Sequence, residues 1–114
     1  MDRGAELDRE SWEERTPSNL DIVGAFAPSD HLQLYHVRNT ADETIYVLAA
    51  SLKYADIIAK MNGHIRFFGN AKFWKTPPVE SGSPVYWAIK ARIPGVIWMR
   101  NDCAVMRDQV FYRK

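Results

Sequence analysis

Between positions 32 and 37, Leu32, Leu34 and His36 fall on one parity and Gln33, Tyr35 and Val37 on the other. This two-residue period is that of a β-strand. The polar stretch 39–43 separates it from the β-branched and aromatic run 44–48, so the pair predicts a hairpin. Beyond the hairpin the period changes. Leu52, Ala55, Ile58, Ala59 and Met61 recur at helical spacing, with Ser51 placed to cap the first turn and Gly63 suited to the left-handed position that ends a helix. From His64 onward, short aromatic and β-branched runs are punctuated by Gly69-Asn70, Pro77-Pro78, Ser81-Gly82-Ser83-Pro84, Pro94-Gly95 and Asn101-Asp102. They predict antiparallel strands over 64–68, 71–74, 85–92, 96–100 and 103–112, with a loop over 76–84 as the most mobile element.

The first residues fit this pattern less well. The stretch 5–15 contains helix formers but only Ala5, Leu7 and Trp12 as apolar positions, too few for a wide buried stripe. It is expected to form an acidic helical arm over 1–19, docked or frayed. The apolar stretch 20–27, closed by Pro28-Ser29-Asp30, has no decided period. The predicted fold is a single α+β domain over 1–114: a mainly antiparallel sheet, one well-capped helix and the acidic arm.

A chain of 114 residues, 46% hydrophobic and 25% charged, has the composition of a compact domain able to bury a core without metals or disulfides. No apolar run approaches the length of a membrane span, and the N-terminus lacks a signal-peptide layout, so no membrane partner is expected. The lone Cys103 has no intrachain partner, which fits a reducing, cytoplasmic compartment. Charge changes the picture more. Residues 1–56 carry five basic and eleven acidic side chains, a net −6, whereas residues 57–114 carry ten basic and three acidic, a net +7. Such asymmetry creates a field attractive to phosphates or acidic surfaces, unless the acidic half folds across the basic one.

Strand parity locates a candidate surface within the basic half. His64, Arg66 and Phe68 share one parity, and Val85, Trp87, Ile89 and Ala91 form a core face that leaves Tyr86, Lys90 and Arg92 on the other. With Lys72 and Lys75 near the sheet edge, these residues make a basic and aromatic face. Rings on such a face stack on unpaired bases while cations meet phosphates, so the leading expectation is non-catalytic binding of single-stranded nucleic acid. A second reading is a protein-binding inhibitor or adaptor, for example a viral or mobile-element accessory protein, with Trp12, Phe73 and Trp74 as interface anchors or as a homodimer seam. A third is a small enzyme cleaving or transferring at a phosphodiester or dinucleotide, which requires His36 to converge with His64 or Arg66 so that a base stands beside a cationic phosphate clamp. His31 and His36 lie on opposite strand faces and cannot chelate together. With no Cys-x-x-Cys pair and no glycine-rich phosphate loop, neither a metal nor a cofactor is expected. His36, sharing a face with Leu32 and Leu34, reads as a partly buried, hydrogen-bonded side chain rather than a general base.

Overall fold

A computed structural model describes residues 17–65, 71–107 and 109–114, and the architecture is α+β. The described elements run α1 (Asn19–Phe26), β1 (Gln33–Arg38), β2 (Thr44–Ala49), α2 (Leu52–Met61), β3 (Phe73–Lys75), α3 (Pro84–Lys90), β4 (Gly95–Met99), β5 (Cys103–Met106) and β6 (Gln109–Tyr112). The strands form one antiparallel sheet in the order β3-β1-β2-β4-β5-β6. Among the described residues no helix is long and apolar enough to cross a membrane. The expected arm over 1–16, with Trp12, and the expected strand residues Arg66 and Phe68 lie outside the described residues.

Strand β2 shows why helices cover both faces of the sheet. Ile45, Val47 and Ala49 point to one side, where they join Tyr35, Val37, Val96 and the helix residues Ala25, Ala55, Ile58 and Ala59. Leu48 points to the other side and joins Leu34, Ile97, Ala104 and Met106 beneath Val85 and Ala88 of α3. Alternating parity thus builds two cores on one sheet, with α1 and α2 over the first and α3 over the second.

The hairpin β1–β2 forms about Ala41, with His36 opposite Tyr46 and Val37 opposite Ile45. Asn39 fixes its loop: the Oδ1 atom accepts from Ala41 N at 2.9 Å and from Glu43 N at 2.8 Å. Helix α2 is capped as its sequence implies, with Ser51 Oγ accepting from Tyr54 N at 3.2 Å. At its end Gly63 adopts φ 75°. His64 N donates to Ala59 O, and Gly63 N to Lys60 O, each at 3.0 Å. This is the paired hydrogen bonding of a Schellman motif.

Three elements differ from the sequence-based expectation. The stretch 20–27, ambiguous in period, is helical because Ser18 and Asp21 form a capping box: Asp21 N donates to Ser18 Oγ at 3.1 Å and Ser18 N to Asp21 Oδ2 at 3.4 Å. The stretch 85–92, expected as a strand, is mostly helix. Ser83 caps it, Pro84 occupies its first turn, and Val85 and Ala88, three apart, are its buried residues. The period-two series Val85, Trp87, Ile89 is coincidental, since Trp87 stays half-exposed and donates from Nε1 to Gly82 O. The run 103–112 is two strands rather than one. The chain reverses between Met106 and Gln109, which pair, and Arg107 takes a left-handed φ of 56°. The Arg-Asp sequence there lacks the glycine that usually announces such a turn.

Two ion pairs bind the α1–α2 layer. Lys60 Nζ lies 2.7 Å from Asp56 Oδ2, with both side chains 1% exposed. Lys53 Nζ lies 3.1 Å from Asp21 Oδ1 and ties α2 to α1. The hydrogen bond from Lys53 holds the Asp21 carboxyl below its ordinary pKa, with Ser18 adding to the effect. Removing Lys60 takes a counter-charge from the buried Asp56 carboxylate, so Lys60→Met should cost about 3 kcal/mol in urea unfolding, with Asp56→Leu in the same chain recovering much of the loss. Because the folded Asp21 carboxyl titrates below its unfolded value, its contribution is complete above the unfolded pKa and is lost as pH falls through the folded one. Urea midpoints of Asp21→Asn should therefore lose part of the wild-type decline across the acid range and keep the same slope at neutral pH.

Candidate nucleic-acid interface

The face of the sheet that carries α3 is covered at one end only. Across it the register aligns Trp74, His36, Tyr46 and Ile97 as successive cross-strand neighbours on β3, β1, β2 and β4, from the exposed indole at the β3 edge to Ile97, buried in the core beneath α3. The His36 imidazole lies nearly parallel to the Trp74 indole, with centroids 5.4 Å apart and planes at 19°, and it meets the Tyr46 ring at 5.9 Å and 46°. His36 Nδ1 sits 3.2 Å from Thr76 Oγ1, which fixes the half-buried imidazole from its outer edge. Trp74 is 48% exposed, which leaves part of the indole open to solvent. Beside it, His36, Arg38, Thr44, Trp74 and Lys75 line a recess of about 430 Å³. Arg38 Nη1 donates to Asp42 O at 2.8 Å and to Asp42 Oδ1 at 3.2 Å, which orients the guanidinium while leaving it largely exposed.

Residues 76–79 leave β3 as a strap across this face. Thr76 N donates to Leu34 O at 2.8 Å, so the strap begins as a continuation of the β3–β1 pairing, and Val79 packs on the core beneath α3. Its far end is held at Gly82, which has φ 84° and whose carbonyl accepts from Lys114 N at 3.0 Å. The loop expected to be the most mobile element is therefore hydrogen-bonded at both ends. On the β3 side of the strap a second recess, of about 600 Å³, is lined by Lys75, the two prolines and Tyr86. Lys90, one turn along α3, places its Nζ 5.4 Å from the centroid of the Tyr86 ring.

The structure brings together part of the surface expected from the sequence. Lys75 borders both recesses, Tyr86 and Lys90 stand over the second, and Lys72 is exposed just before β3. Tyr86 and Lys90 reach this side from a helix, not from a neighbouring strand. His64 does not join them. It follows α2 and packs edge-on against Trp98, with centroids 5.5 Å apart, on the opposite side of the sheet. His36 and His64 consequently do not share a pocket, and Arg66, the alternative partner for His36, lies outside the described residues. Arg92 is engaged elsewhere, its Nε 2.6 Å from Asp30 Oδ1, so an acid of the first half neutralises a base of the second. Phe73, expected as an exposed anchor, is 9% exposed within the α2-side core, because its parity is opposite to that of Trp74. Trp74 alone of the two remains available.

Sequence reasoning missed the aromatic ladder itself. The signal was present for two of its rings, since a hairpin symmetric about Ala41 places His36 across from Tyr46. Nothing in a three-residue strand specified that Trp74 would follow on the same face. Among the described residues no group of three or more His, Cys, Asp or Glu side chains is arranged to hold a metal ion. No family model, curated protein or solved structure matches the chain.

Gly82 is the point at which the strap can be loosened without touching the rings. A Cβ there would lie 2.7 Å from the Lys114 carbonyl oxygen, and the left-handed backbone adds its own penalty. Gly82→Ala should cost about 1–3 kcal/mol in urea unfolding and raise amide exchange through residues 76–82 before the sheet is affected.

Proposed function

We propose that this chain is a non-catalytic binding protein for single-stranded nucleic acid. The observation that carries the reading is the position of Lys75, which borders two neighbouring recesses. One is flanked by the Trp74 and His36 rings and the other by Tyr86, with Lys90 over its ring. Exposed rings supply stacking platforms for unpaired bases, and cations interleaved with them supply contacts for the connecting phosphates. A duplex keeps its bases stacked internally and offers little to such rings, so the chemistry favours a single strand. Arg38 at one end and Lys90 at the other extend the charged track beyond Lys75, and Lys72 adds charge along the edge.

Fluorescence anisotropy of a labelled oligothymidylate or oligouridylate tests the proposal. With Arg38, Lys75 and Lys90 each meeting a phosphate, the log-log slope of affinity against salt should be about −2 between roughly 50 and 200 mM. Trp74→Ala removes one stacking platform and should cost about 1–3 kcal/mol of binding, whereas exchanging His64 on the opposite side should leave affinity unchanged. No binding at low salt, or binding indifferent to Trp74→Ala, would overturn the reading.

A further inference from the structure

Residues 76–80 of the strap, Tyr46 of β2, the start of α3 and the β4–β5 turn border another recess, of about 460 Å³. Its wall belongs to the second core: Leu34 and Ala104 from the sheet, Val79 from the strap and Val85 from α3. Its mouth is cationic. Arg100 and Arg113 line it, against Glu80 as the single acidic side chain among the described lining residues. The Arg100 backbone N–H is committed to Cys103 O at 2.8 Å, while its guanidinium makes no ion pair among the described residues. Arg113 Nη1 approaches Glu80 Oε1 only to 3.6 Å, with both side chains largely exposed, a geometry too long and too wet to hold the guanidinium firmly.

An apolar wall ending at two incompletely paired guanidinium groups is complementary to one ligand chemistry. We infer that this recess binds a small organic anion, with an apolar ring or short acyl body against Leu34, Val79, Val85 and Ala104 and a carboxylate or sulfonate head at Arg100 and Arg113. The volume lies within the range of sites that enclose most of a small ligand, and the division of labour is the usual one: apolar contact supplies affinity and a few polar groups fix orientation. Guanidinium suits such a head because its planar fork meets two oxygens at once. Glu80 then competes with the ligand head for Arg113. Tyr46, the third ring of the ladder, also lines this recess, so the site adjoins the nucleic-acid surface, but its anion chemistry does not depend on that reading.

The probe pair is 8-anilinonaphthalene-1-sulfonate and its uncharged counterpart N-phenyl-1-naphthylamine, titrated into the folded protein by fluorescence. The anion should bind saturably at one site per chain and shift the methyl resonances of Val79 and Val85. Arg100→Ala combined with Arg113→Ala should weaken the anion at least about tenfold and the neutral probe less than about twofold. Glu80→Gln, a conservative exposed change, should tighten the anion by freeing Arg113. The inference is overturned if the double variant leaves the anion's affinity unchanged. It is equally overturned if the methyl shifts centre instead on Val105 and Val110, which follow Trp98 in cross-strand succession on the opposite face.

Discussion

Strand β2 is apolar toward both faces, and this imposes the rest of the architecture. A strand that directed Ile45 and Val47 into one core and exposed Leu48 on the other side would leave large apolar side chains in water, each costing roughly 1.5–3 kcal/mol relative to burial. Leu48, Val47 and Ala49 are each fully buried, so a layer must lie on either side. Helix α2 follows β2 directly and closes one side. The other side is closed by α3, which arrives only after β3 and the strap. The second layer is shorter than the face it covers, and the uncovered remainder is where Trp74, His36 and Tyr46 stand.

Short coverage explains why the same face carries both the aromatic ladder and three recesses. The strap crosses where the helix does not reach, and the concavities lie along its sides and beside the ladder. Charge follows the same division. The net basic character of residues 57–114 is reduced at Arg92 by Asp30 and at Lys60 by Asp56, pairs that span the two halves or sit on one helix. Lys72, Lys75 and Lys90 make no ion pair with an acidic side chain among the described residues and keep the exposed side of the face positive. The acidic half therefore neutralises selected bases of the basic half without covering this surface with its described residues.

The hairpin and α2 were legible because local signals agreed there: period, cap residue and terminal glycine all indicated one element. Helix α3 was not, because 85–91 satisfies two periods at once. The deciding information lay outside the run, in Ser83 as cap and Pro84 in the first turn, residues equally at home in the loop they seemed to belong to. The turn between β5 and β6 was hidden by its Arg-Asp sequence, which leaves an apolar run on either side looking continuous. The site was legible in part for related reasons. Lys75, Tyr86 and Lys90 were recognised by residue type, but parity counted along a supposed strand grouped them with His64, which a helix terminus places on the far side. His36 was expected to be half-buried with a hydrogen-bond partner, and Thr76 supplies one, although 40 residues away in sequence.

The loop between β1 and β2 governs more than the connection it makes. Because side chains alternate with every residue, the pairing of His36 with Tyr46 exists only while five residues, 39–43, separate the strands. Lengthening or shortening that span by one would offer Tyr35 or Val37 to Tyr46 and carry the imidazole round toward α2. Evolution can thus exchange the chemistry at Asn39–Glu43 only within a fixed count, and an indel there would dismantle the aromatic ladder although none of its own amino acids had changed.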